Sequence, residues 1–114
     1  GKLLNKLKEK IKTKKTKILK KILDENNSPS IIDYLSLDVE GAETDILRNF
    51  DFNKYIFLSM TVERPTHELN KILFDNGYIF VKNFKVDSFY VHKSIKNLDT
   101  IKKEKFFQLP PKSW

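Results

Sequence analysis

The stretch Ile31 to Phe50, IIDYLSLDVEGAETDILRNF, decides the fold of this chain. From Ile31 to Val39 it is largely apolar, with Leu35, Leu37 and Val39 on one face and Tyr34, Ser36 and Asp38 on the other, the period of a β-strand. Neither face turns polar until the end, which predicts a strand covered on both sides in a parallel sheet. Gly41 permits a tight exit without a Cβ clash. Ala42, Ile46, Leu47 and Phe50 then repeat as one helical stripe, with Glu43 and Asp45 in the first turn, where carboxylates favour the positive helix end. A buried strand that ends in Asp38 and Glu40 and passes at once into a helix delivers acids to a cleft.

The pattern repeats downstream. Tyr55 to Val62 (YIFLSMTV) reads as a second buried strand ending in Glu63, Arg64 and Pro65, and Pro65 stops its ladder. Thr66 is a suitable N-cap for a helix with core positions Leu69, Ile72 and Leu73, and Asn76-Gly77 supplies its C-cap. Tyr78 to Val81 and Val86 to His92 read as two closing, antiparallel strands around a loop at Lys82 to Lys85. Tyr34, Phe57, Tyr78, Phe80 and Phe89 are assigned to core packing. Alternating strands and helices with short connections predict an α/β fold, with a mainly parallel sheet and an antiparallel edge strand. Ligands of such sheets sit beyond the carboxyl ends of the strands, and two strands here end in acids at that edge.

Upstream, Leu3, Leu4, Leu7, Ile11, Ile18, Leu19, Ile22 and Leu23 recur at helical spacing above a lysine face. The chain therefore divides into a basic amphipathic helical arm at residues 1–15, a globular part at 16–93 and a peripheral tail at 94–114. Asp24 to Ser30, with Pro29, links the first helices to the first strand.

The net charge of +7 is unevenly placed: ten lysines against three acids before residue 27, and twelve basic against twelve acidic side chains in the remaining 88 residues. Any affinity for nucleic acid or acidic membrane belongs to the arm, and the balanced globular part argues against either partner. The absence of cysteine excludes disulfides and thiolate metal sites, and two distant histidines, His67 and His92, argue against a histidine-based zinc site. No window is apolar enough to span a membrane and no leader is visible, so a cytoplasmic location is expected.

The segments YLSLDVEGAETDIL, FDF, VERP, NGY and DSFYVH, in that order, resemble the C-terminal half of the FkbM-type methyltransferases. The resemblance implies S-adenosylmethionine-dependent O-methylation of a hydroxyl acceptor such as a sugar or natural product, on a Rossmann-like seven-stranded sheet of which this chain carries the fourth to seventh strands. The family's glycine-rich cofactor loop has no counterpart among Gly1, Gly41 and Gly77. The chain alone is therefore expected to be inactive, and a partner half or a second copy is expected along the open sheet edge.

The resemblance makes Asp38 the first candidate for catalysis, with Glu40 and Glu63 as helpers in proton removal or in gripping acceptor hydroxyls. Arg64 and His67 are candidate substrate contacts, and Asp38 with Gly41 falls on the cofactor side. Magnesium or calcium would suit these oxygens, though no metal is demanded. Simpler roles exist for each: Asp38 and Glu40 as helix caps, Glu43 as a first-turn charge, Glu63 with Arg64 as an ion pair, His67 as a solvated helix start and His92 as a structural or exposed edge residue. The alternative for the whole chain is a small basic binding module acting through the lysine arm.

Overall fold

The computed structural model describes residues 23–24, 29–37 and 43–111. The lysine arm expected at residues 1–15, and Asp38, Glu40 and Gly41, lie outside the described residues.

Beyond the helical residues 23–24, the described elements are, in chain order, β1 (Ile31–Leu37), α1 (Glu43–Arg48), β2 (Ile56–Glu63), α2 (His67–Asp75), β3 (Tyr78–Phe84), β4 (Asp87–His92) and α3 (Leu98–Lys103). The sheet order is β1-β2-β4-β3. β1 and β2 are parallel, as their helical crossover requires, and Leu37 lies opposite Val62. β4 is antiparallel to both β2 and β3.

The expected antiparallel edge strand is thus an interior strand, and one of the three pairings is parallel, so the sheet is mixed. The cause is local. Phe84 pairs with Asp87 across the two-residue turn Lys85–Val86, and Lys85 takes a left-handed φ of 56° that suits a tight hairpin. β4 is therefore locked to β3 on one side, and its other side completes the ladder of β2. The loop expected at Lys82 to Lys85 shrinks to this turn, because Lys82 to Phe84 continue the strand.

One row of the sheet, Leu35, Met60, Tyr90 and Phe80, crosses all four strands and faces the helices. Met60, Tyr90, Leu47, Leu69 and Leu73 are fully buried, and each apolar side chain contributes roughly 2 kcal/mol by leaving water. Ile46, Leu47 and Phe50 bury together as their spacing predicts, and Phe57, Tyr78 and Phe80 join the same core. The Phe57 N–H donates to the Tyr78 hydroxyl at 3.0 Å, so the phenol satisfies a buried backbone donor and burial pushes its pKa up.

Tyr34 departs from its expected core position. It is 52% exposed, and its hydroxyl donates to Thr61 Oγ1 at 2.7 Å. The face of β1 that carries Tyr34 is thus open at that position, although Ile32 on the same face packs against the core. Phe89, on the same face, is half-buried. The period of two puts Tyr34 and Phe89 on one side, but whether another layer covers that side is not encoded locally.

After β4 the chain forms α3 and returns to β3. The Gln108 N–H donates to the Val81 carbonyl at 2.7 Å, and the Asn83 N–H donates to Gln108 Oε1 at 3.1 Å. The contact falls at the irregularity between Phe80 and Lys82, where the tail meets the outer edge of β3. At the start of the described chain, Asp24 Oδ1 accepts from Lys54 Nζ and from the Tyr55 hydroxyl, both at 2.6 Å.

Candidate functional site

Because β3 is antiparallel to β4 and β4 to β2, the strands β1, β2 and β3 all run the same way. Their carboxyl ends, with the start of β4, form one edge. The helices α1 and α2 both begin there.

Two contacts hold the helices side by side. Thr44 Oγ1 and Thr66 Oγ1 are 2.7 Å apart, and Thr66 Oγ1 also accepts the Leu69 N–H at 3.0 Å, capping α2 as its sequence predicts. Thr44 is buried, so this hydroxyl pair stitches the start of α1 to the start of α2. On the outside, Arg48 reaches both Asp45 and Glu68, with a forked pair of bonds to the Glu68 carboxylate at 2.9 and 3.0 Å. The hydrogen bond to Glu68 is the main cause that raises the Arg48 pKa further. The exits of β1 and β2 are thus neighbours.

Glu63 is the last residue of β2, half-buried, and lies directly opposite Asp87 of β4. Arg64 follows with a left-handed φ of 46°, a conformation that costs a residue with a Cβ about 1 kcal/mol. Its N–H donates to the Val86 carbonyl at 2.8 Å, which ties the exit of β2 to the β3–β4 turn. Strained backbone of this kind concentrates at functional sites. His67 opens α2 one residue after the cap and is exposed.

The structure therefore brings Glu63, Arg64 and His67 to one edge. Asp38, Glu40 and Gly41 lie outside the described residues, while the flanking Leu37 and Glu43 are at that same edge. His92 does not belong to the site, because β4 carries it to the opposite edge. It is a structural residue on an interior strand: its ring packs edge-on against Tyr78, and Nδ1 accepts the Ser94 N–H at 3.2 Å with Ser94 Oγ at 2.7 Å. That arrangement puts the ring proton on Nε2. Burial lowers the His92 pKa, Lys93 adds to the effect, and a bond to the Asn76 backbone opposes it.

Two residues of the edge escaped sequence reasoning. Asp87 read as an ordinary strand position, and only the hairpin register sets it against Glu63. Thr44 read as one residue of a helical turn. Among the described residues no three potential metal ligands gather, and no helix is long and apolar enough to cross a membrane.

The family model described as the methyltransferase FkbM domain matches residues 4–80. No curated protein and no solved structure matches the chain.

Proposed function

The chain belongs to the FkbM methyltransferase family, and from that premise we propose that it supplies the acceptor side of an S-adenosylmethionine-dependent O-methyltransferase. The observation that carries the reading is the meeting of the β1 and β2 exits at one sheet edge, fixed by the Thr44–Thr66 contact, with Glu63 at the tip of β2. In this reading β1 to β4 are the fourth to seventh strands of a Rossmann-like sheet. The parallel β1–β2 unit, followed by a hairpin that inserts its second strand, supports it. So does the place of β1 at the end of the sheet order, where no described strand pairs with its outer side.

The described residues do not cradle the cofactor. Gly77 is the one glycine among them, and a Cβ there would meet His92 Nε2 and Lys93 Cε at 3.1 Å, so its open side is filled by its own chain. The glycine-rich loop that would hold S-adenosylmethionine has to come from other polypeptide, and no step of the transfer is routed through these residues.

What this chain contributes is acceptor chemistry. A hydroxyl oxygen becomes an adequate nucleophile as its proton passes to a positioned base. Asp38 is that base, and Glu40 and Glu63 grip neighbouring hydroxyls or share the proton. Arg64 and His67 stand on either side of Pro65 to contact the rest of the acceptor.

Tested in a polypeptide that supplies the cofactor half, Asp38→Asn is expected to lower kcat about a hundredfold, the low end for loss of general-base help, and Glu63→Gln to lower it less. Unchanged rates in both variants would sink the assignment.

A further inference from the structure

The turn between β3 and β4 carries a feature that the folding of the hairpin does not use. Phe84 is 64% exposed and Val86 42% exposed, at the tip of a two-residue turn where a polar pair would serve as well. The ammonium of Lys82 lies 5.9 Å from the Phe84 ring centre and that of Lys85 lies 5.6 Å from it. Neither lysine makes an ion pair among the described residues. An apolar ring with two uncompensated cations is thus presented to solvent.

Its position gives it a use. Phe84 pairs with Asp87, and Asp87 pairs with Glu63, so the three side chains share one sheet face in a single row. Lys82, two residues before Phe84, falls on that face too. Two strand spacings separate Phe84 from Glu63, about 10 Å in all. That is the reach of one sugar-sized ring with a charged substituent. The bond from the Arg64 N–H to Val86 holds the tip at that distance.

We infer that the tip formed by Lys82, Phe84 and Lys85 is an acceptor-binding subsite for a hydroxylated ring that bears a phosphate or carboxylate. The inference rests on the acceptor-side reading above. The ring lies with its C–H face on Phe84, its anionic group meets the two lysines, and its hydroxyls point along the row toward Asp87 and Glu63. Carboxylates at one end and cations at the other set a single orientation, since an anion placed against Asp87 and Glu63 would be repelled.

The test is binding to the 114-residue chain, read from backbone amide shifts of Lys82, Phe84 and Lys85 by NMR. The probes are glucose 6-phosphate, glucuronate, methyl glucoside, inorganic phosphate and vesicles containing phosphatidylserine. The two anionic sugars are expected to shift these amides, with the neutral sugar and inorganic phosphate each about tenfold weaker, the worth of one lost cation or ring contact. Phe84→Ala and the double variant Lys82→Gln, Lys85→Gln are each expected to weaken binding of the anionic sugars by about tenfold. Both alter exposed tip side chains, so folding is preserved. Equal binding of inorganic phosphate, unchanged affinity in Phe84→Ala, no shifts at all, or a stronger response to the vesicles overturns the subsite. None of these outcomes involves methyl transfer, so the subsite can fail while the methyltransferase reading stands.

Discussion

Tyr90 and Asn70 share a polar contact inside the core. Both are buried, the Tyr90 hydroxyl donates to Asn70 Oδ1, and Asn70 Nδ2 has no partner among the described residues. Burial raises the phenol pKa, so the hydroxyl stays protonated and remains a donor. Tyr90→Phe would leave the whole Asn70 amide unpaired and is expected to cost about 2 kcal/mol in urea unfolding. The double variant with Asn70→Leu removes both polar groups and should recover most of that loss. His92 makes the second argument at this scale. Its folded pKa lies below the unfolded value because burial disfavours the charged ring, so between the two pKa values the unfolded chain binds more protons. Stability therefore rises with pH through that window and falls as the solution is acidified below the ordinary histidine range. Urea midpoints at neutral and mildly acidic pH should show the loss, and His92→Gln should flatten it.

Among the elements, α2 was the most legible from its residues. Thr66, Leu69, Leu73 and Asn76-Gly77 spell a cap, a buried stripe and a stop, and each does what its type predicts. Thr66→Ala removes the bond to the Leu69 N–H and the contact with Thr44, so a loss of about 1 kcal/mol, or somewhat more, is expected in thermal or urea unfolding. The hairpin was less legible. No Asn-Gly or Asp-Gly pair marks its turn, so Lys82 to Lys85 read as loop, and the left-handed Lys85 could not be foreseen from a lysine.

For the whole molecule, the proposed site supplies only the acceptor side of a methyltransferase. Glu63, Asp87, Arg64 and His67 line the edge, and the described residues hold no glycine-rich turn. Calorimetric titration of the isolated chain with S-adenosylmethionine is accordingly expected to show no binding; a micromolar affinity would refute the division of labour. The unlike faces of β1 fit that arrangement, with Leu37 in the core and Tyr34 open.

The sequence by itself determined the order of the strands and helices as far as β4, the acid at the end of β2, and the family to which the motif YLSLDVEGAETDIL points. These follow from period, capping and strand-end chemistry, all of which act over a few residues. Only the tertiary structure decided that β4 lies inside the sheet, that Asp87 faces Glu63, and that Thr44 meets Thr66. Those outcomes depend on which ladder edge remains free once the hairpin has closed. That is a competition between distant segments, and no local pattern records its result.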